Sequence, residues 1–249
     1  MKGFFVVLMV LAVLFLGSSA ALAEGLSIHA GFGTNVGGLD AANDPQWFLG
    51  ANWEIGPWII GGDYYIASGG SAEPALKAPS FSMDFSTFYL YGGYQVLDLD
   101  MLKVYALCGY ADHSYIPGVY YEENQGGDRL RGQEVSVYTR GLAAGIKAEF
   151  TFGNFDLSLT GLTTVGGTWG FDIPDQQPSD SPRALEELGP GSLTCINAAF
   201  TYHLNEVFGI FASFDYAVTS NEGSAIGTTR ANGWDVSACY LTAGVELSF

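Results

Sequence analysis

The sequence predicts an all-β fold, a transmembrane antiparallel up-and-down β-barrel, most simply of ten strands. Ten segments alternate apolar and polar residues, as strands with one face in lipid do. Short and long connections between these segments also alternate without exception. Hydrophobic residues make up 48% of the chain and charged residues only 14%, whereas a soluble domain carries about 25% charged residues. A barrel explains this composition, because its apolar residues are spread over alternate positions.

The N-terminus has the pattern of a secretory signal peptide. Lys2 supplies the positive charge, residues 4–16 form an unbroken apolar run, and residues 21–23 form a small-x-small cleavage site. The run is too short for a membrane-spanning helix, which needs about 20 residues. We therefore expect residues 1–23 to be removed and residues 24–249 to form one β-barrel domain.

The ten strands are predicted in the remaining chain from alternation and from turn residues. Their predicted spans are 25–35, 46–55, 58–67, 85–96, 101–111, 135–152, 155–167, 193–204, 208–218 and 236–249. The short connections are 56–57, 97–100, 153–154 and 205–207, and the long ones are 36–45, 68–84, 112–134, 168–192 and 219–235. An eight-stranded barrel would require the loss of one hairpin, and none is weak enough to discard.

The lipid-facing side of each strand can be assigned, because a charged side chain on that side costs about 2–4 kcal/mol in the middle of the membrane. The face without charges is therefore predicted to meet lipid. The seventh strand turns Phe155 outward and Asp156 inward, and the later strands follow the same rule. Arg140 is the exception on an outward face, at an outer strand end where its side chain can snorkel to the interface. Aromatic residues gather near both strand ends, for example Trp58 and Trp47, as in the two girdles of membrane barrels.

Inward positions predict a polar network in the lumen. Its members are His29, Glu54, Asp63, Lys103, Lys147, Glu149, Asp156, His203, Asp215 and Glu246. We expect the two lysines to pair with carboxylates, and inward tyrosines to lie over inward glycines of neighbouring strands. Barrels of about this size are filled by side chains. The favoured interpretation is thus a filled interior, with a narrow conducting pore and a proton-titrating histidine as alternatives.

Charge limits the partners of the chain. Loss of Lys2 with the signal peptide would leave eight basic and 26 acidic residues, a net charge of −18, of which −11 lies in the long loops. Such a chain is not suited to nucleic acid, since phosphate binding needs a basic surface. The acidic loops are either solvated tips or a recognition surface for a cationic partner or for divalent cations that bridge lipopolysaccharide.

The three cysteines are too few and too dispersed for a disulfide framework or a metal site. Cys195 and Cys239 are predicted near the outer ends of the eighth and tenth strands, which are not neighbours, so isolated thiols are expected. No Cys/His cluster has metal-ligand spacing. We expect no cofactor and no metal.

The last strand alternates up to the final residue. Leu241, Ala243, Val245, Leu247 and Phe249 form one face. The ending Thr242-x-Gly244-x-x-Leu247-x-Phe249 resembles the assembly signal of the small bacterial outer-membrane β-barrel superfamily. The resemblance implies insertion by the outer-membrane barrel machinery. Because short turns of a membrane barrel lie on the periplasmic side and long loops outside, we expect periplasmic termini and extracellular long loops. The expected surroundings are the lipid and lipopolysaccharide of a Gram-negative-type outer membrane. It leaves the subfamily and the cargo open.

Three functions are compatible with such a barrel. The leading hypothesis is a monomer with a structural or surface-binding role, the second is a small porin-like channel for water-soluble solutes, and the third is a rim hydrolase. The omptins, outer-membrane barrels that are proteases, use an acidic pair and an Asp/His pair at the extracellular rim. Asp98 and Asp100 have suitable spacing but lie at the opposite end, and Asp112 and His113 are adjacent, so they point to opposite faces. We therefore expect no enzymatic activity.

Overall fold

The chain folds as a closed antiparallel β-barrel of ten strand positions in a computed structural model. The structure describes residues 25–38, 45–72, 81–116, 119–120, 133–134, 136–172, 186–222, 224–226, 229–231 and 236–249. The predicted signal peptide and most of the predicted long loops, including Glu122, Glu123, Asp128, Asp175 and Asp180, lie outside these residues. Every regular element within them is a strand, and no helix there is long and apolar enough to cross a membrane.

Fifteen strands form the described elements. They are β1 (Leu26–Gly38), β2 (Pro45–Ile55), β3 (Trp58–Ala72), β4 (Phe81–Leu99), β5 (Leu102–Ile116), β6 (Val119–Tyr120), β7 (Gln133–Glu134), β8 (Ser136–Phe152), β9 (Phe155–Thr164), β10 (Thr168–Asp172), β11 (Glu186–His203), β12 (Phe208–Asn221), β13 (Ser224–Ile226), β14 (Thr229–Ala231) and β15 (Val236–Ser248). β9 and β10 follow one another along the same barrel position, since both pair with β8 on one side and with β11 on the other. The strand is broken between them at Gly166, which has a φ of 68°. β6–β7 and β13–β14 are separate two-stranded hairpins.

The first and last strands close the barrel, as the sequence predicts. Ser27 lies opposite Ser248, and the pairing continues with one register shift to Gly38 opposite Ala238. Phe249 extends the ladder, since its N–H donates to Leu26 O at 2.9 Å. Closure removes both free sheet edges, each of which would otherwise carry a row of unpaired backbone groups.

The two ends of the barrel differ. Two-residue turns join β2 to β3 and β8 to β9, where Gly56 (φ 58°) and Gly153 (φ 63°) adopt the left-handed conformation that tight hairpins need. We call this end, which also carries Gly25 and Phe249, the turn end, and the opposite one the loop end. The loop-end strand boundaries were predicted too short: β5 continues to Ile116 and β11 already begins at Glu186, so the long connections are correspondingly shorter.

The predicted alternation of faces is confirmed. In β15, Tyr240, Thr242 and Glu246 are buried, whereas Leu241 and Val245 are exposed. The other predicted strands follow the same pattern, with Phe155, Leu159, Ile196, Phe200, Ile210 and Phe214 exposed on the outside. The outer surface is thus a continuous apolar band. Its aromatic residues pair near both ends, with Trp58 against Tyr94 at the turn end and Phe32 against Trp47 nearer the loop end.

Candidate functional site

An aromatic layer crosses the middle of the lumen. Tyr65 on β3 is 2% exposed, lies parallel to Tyr240 on β15 with 6.1 Å between ring centroids, and contacts Phe48 on β2 at 4.8 Å. Phe48 in turn meets the edge of Phe211 on β12 at 5.5 Å. Tyr89 extends the layer, with its ring 6.2 Å from that of Tyr65. We call these five residues the septum.

Asp215 anchors the septum to the far wall of the barrel. The Tyr65 hydroxyl on β3 donates to Asp215 Oδ1 on β12 at 2.5 Å, and Asn197 Nδ2 donates to the same oxygen at 2.5 Å. Ser213 Oγ donates to the other carboxylate oxygen at 2.9 Å. Three donors therefore satisfy one buried carboxylate, which offsets the cost of its burial.

Glycines make room for the aromatic rings. A Cβ at Gly61 would lie 2.7 Å from the Tyr91 ring, and one at Gly244 would lie 2.7 Å from Phe211. The prediction that inward tyrosines lie over glycines of neighbouring strands is thus confirmed for Tyr91. The phenylalanine rings of the septum were missed, although Phe48 stands in an unbroken apolar run of the kind that strands buried on both faces show.

A cavity of about 340 Å³ lies between the septum and the turn end. We call it the vestibule. Its wall carries nine of the ten residues predicted for the lumen network, namely His29, Glu54, Asp63, Lys103, Lys147, Glu149, Asp156, His203 and Glu246. The tenth, Asp215, lies at the level of the septum, where it accepts a hydrogen bond from Tyr65. The predicted network is therefore divided into two levels.

The two lysines of the vestibule differ in burial. Lys147 Nζ lies 2.7 Å from Glu149 Oε1, and its side chain is 4% exposed. Lys103 Nζ lies 2.8 Å from Glu54 Oε2, with 44% of its side chain exposed. Because solvent screens an exposed pair, the Lys147 pair has the larger influence on stability, and loss of one partner there would leave a buried charge.

Both vestibule histidines pair with carboxylates on neighbouring strands. His203 Nε2 lies 2.7 Å from Asp156 Oδ2, and His29 Nε2 lies 3.2 Å from Glu246 Oε2. Glu246 also accepts hydrogen bonds from Thr201 at 3.0 Å and from Ser248 at 3.0 Å. No hydroxyl group is hydrogen-bonded to either imidazole in these contacts, so neither pair forms a nucleophile–base arrangement.

Asp112 and His113 point to opposite faces of β5. His113 is 3% exposed inside the barrel, and its Nδ1 lies 2.8 Å from Thr87 Oγ1. Asp112 lies directly opposite Arg140 on β8 and accepts a hydrogen bond from Tyr110 at 3.4 Å. A shared catalytic role would require both groups within hydrogen-bond reach of one proton.

Arg140 lies at the loop end of the outer face, as expected. Its guanidinium carbon lies 4.3 Å from the centre of the Tyr138 ring, a cation–π contact. Asp112 on β5 is the residue directly opposite Arg140, so a negative charge lies beside the guanidinium group. The sequence predicts a loop at Asp112, but the structure places it in β5, whose polar end lacks the apolar alternation by which strands are recognised.

The four residues of the proposed assembly signal lie on the closing strand. Leu247 and Phe249 are on the outer face, 37% and 45% exposed, and Thr242 and Gly244 are on the inner face. Gly244 lies opposite Gly31, where any side chain would meet backbone and the Phe211 ring. Packing alone therefore requires glycine at position 244, apart from any role of this residue in the proposed assembly signal.

The three cysteines are free thiols. Cys195 is buried in the lumen and Cys239 faces outward, so the two cannot approach each other across β12. In the part of the chain that the structure describes, no three His, Cys, Asp or Glu side chains converge as metal ligands would.

Comparison with known proteins supports the fold. The outer membrane protease OmpT from Escherichia coli superposes with a TM-score of 0.58 at 12% identity, over 91% of this chain and 97% of that one. Ail of Yersinia pestis (TM-score 0.38, 13% identity, 91% and 99% coverage of the two chains) and the neisserial surface protein NspA (0.35, 15%, 91% and 98%) are more distant. No protein-family model matches the chain, and no curated protein sequence matches it. The chain thus has the closed barrel fold of an outer-membrane β-barrel protein.

Proposed function

We propose that the protein is an integral outer-membrane β-barrel with a structural or surface-binding role, exerted through its long loops around a closed lumen. The continuous apolar outer face supports a lipid environment. Side chains such as Leu142 and Ile146 are 71% and 62% exposed on this face, and in water they would form a large apolar surface patch. The predicted signal peptide and the terminal motif support the outer membrane as the location.

The septum is the observation that carries the closed-lumen proposal. It joins opposite walls, because the Tyr65 hydroxyl on β3 reaches Asp215 on β12. Tyr65, Tyr89 and Tyr240 are each 2% exposed, so water does not surround their rings. A porin instead keeps a water-filled channel along its axis.

The orientation of the barrel follows from the same proposal. Short turns of membrane barrels face the periplasm and long loops face outward, which would place both chain ends and the vestibule on the periplasmic side. The acidic loops would then meet lipopolysaccharide and any cationic surface partner. The closing strand would be the part recognised by the insertion machinery.

A hydrolase of omptin type is not part of this proposal. The separation of Asp112 and His113 on the two faces of β5 argues against it. If purified protein showed protease or lipase activity, the change of both residues to alanine would test their part in it. Loss of that activity would contradict our assignment.

Solute flux tests the proposed function. The protein reconstituted in liposomes should give no faster swelling in small sugars than protein-free liposomes, because a lumen closed by the septum would have no continuous aqueous path. Swelling that rises with the amount of protein would support the channel alternative and refute the closed lumen.

A further inference from the structure

We propose that the vestibule is a binding site for an aliphatic di- or polyamine that enters from the turn end of the barrel. The inference goes beyond the role of the loops and does not depend on it. It rests on the volume, the charge and the wall chemistry of one cavity.

The size of the vestibule suits a small ligand. Its volume of about 340 Å³ falls at the lower end of the 300–1,000 Å³ typical of small-molecule sites. Gly25, Ser248 and Phe249 lie at its turn-end mouth, and Phe48 and Phe211 close its deep end. A ligand would therefore enter and leave by the same side.

The vestibule has an excess of negative charge. Its wall carries the carboxylates of Glu54, Asp63, Glu149, Asp156 and Glu246 but only two lysines, which leaves a net charge of −3 with neutral histidines. Each lysine and each histidine has its own carboxylate within 3.2 Å. Among the described residues Asp63 forms no ion pair, although it accepts a hydrogen bond from Tyr89 and lies near His29 and Lys147. A cleft of one sign concentrates ligands of the opposite charge.

Asp63 lies beside an aromatic wall. A Cβ at Gly50 would lie 2.1 Å from Asp63 Oδ1 and 2.9 Å from Cζ of Phe48, so the carboxylate and the ring flank the same glycine. Phe211 is next to Phe48 in the same wall. A carboxylate beside aromatic rings suits an ammonium group on a methylene chain.

The distribution of the carboxylates favours an extended cation over a metal ion. They project from five different strands, β2, β3, β8, β9 and β15. No three acidic, histidine or cysteine side chains converge among the described residues, as a bound metal ion would require. Separate ammonium groups along one chain can instead meet separate carboxylates.

Calorimetric titration of the purified full chain in detergent micelles with spermidine tests the proposal. The wild type should bind one spermidine saturably. Asp63→Asn keeps the shape of the side chain and should weaken binding about tenfold or more, because it removes a carboxylate charge of the cavity that is not engaged in an ion pair. Ala199→Phe, which fills the cavity from β11, should abolish binding. Heat-modifiable gel migration checks that both variants are folded.

Two controls separate the vestibule from the acidic loops. Glu222→Gln removes an exposed carboxylate that follows β12 at the loop end, outside the cavity, and should leave the affinity unchanged. An uncharged diol of similar length should not bind. Absence of saturable binding by the wild type would overturn the proposal. So would equal affinities of the wild type, Asp63→Asn and folded Ala199→Phe, since binding would then occur elsewhere.

Discussion

Removal of one hydroxyl group from the septum should destabilise the whole barrel. In Tyr65→Phe the ring and its contacts remain, but Asp215 loses one of its three donors, at 2.5 Å. A hydrogen bond to a charged group contributes about 1.5–3 kcal/mol. Because Asp215 is only 5% exposed, water cannot replace the donor freely. We therefore expect a loss of about 2 kcal/mol in the free energy of unfolding.

Urea unfolding in lipid vesicles, followed by tryptophan fluorescence, measures this change. Tyr110→Phe is the matched control, because its hydroxyl group donates to Asp112 at 3.4 Å at the outer face, where neither residue is fully buried. This control should cost less than about 0.5 kcal/mol. Equal unfolding free energies of Tyr65→Phe and the wild type, or an equal loss in both variants, would refute the account of the septum.

Three further changes test packing, the lipid-facing surface and assembly. Gly61→Val should destabilise the barrel by about 1–3 kcal/mol in the same unfolding assay, because its side chain would collide with the Tyr91 ring. Ile146→Arg, on the outer face, should cost about 2–4 kcal/mol in vesicles. Deletion of Phe249, or Leu247→Asp, should lower the yield of heat-modifiable protein in isolated outer membranes.

Each of these changes has its own control or contrary outcome. Gly161→Val adds a side chain where nothing lies within 4 Å, and it should be tolerated. Val207→Arg places the same charge in an exposed turn and should cost little. Normal outer-membrane yields of both C-terminal variants would argue against the assembly signal.

The strand faces could be predicted from the sequence because lipid demands apolar side chains on alternate positions. In β12, Ile210 and Phe214 face outward, and Gly209 and Asp215 face inward, as the alternation indicates. The same reasoning placed the vestibule residues on the inner wall. It could not show which charges pair, because pairing depends on the register between strands.

The strand ends beyond the apolar band were harder to predict. Residues 112–116 of β5 and 186–192 of β11 are paired with neighbouring strands, but their sequences are largely polar, include Pro190 and lack the apolar alternation. Where lipid no longer constrains the outer face, the period of two disappears. The small hairpins β6–β7 and β13–β14 were missed for the same reason.

The septum was only partly predictable. The inward tyrosines were expected, since Tyr65, Tyr89 and Tyr240 stand at inward positions between outward apolar residues. Phe48 and Phe211 were not, because a rule that assigns apolar residues to lipid cannot separate them from their outward neighbours. Continuous apolar runs such as residues 47–49 and 210–212 were the available signal for burial on both faces.

Conductance in planar bilayers tests the closed lumen most directly, if the wild type is measured beside a variant without the septum. Tyr65→Ala combined with Phe211→Ala removes the ring that reaches Asp215 and the ring that covers Gly31 and Gly244. We predict no reproducible single-channel steps for the wild type and discrete steps for the folded double variant. Reproducible steps of equal size in both proteins would contradict the closed barrel.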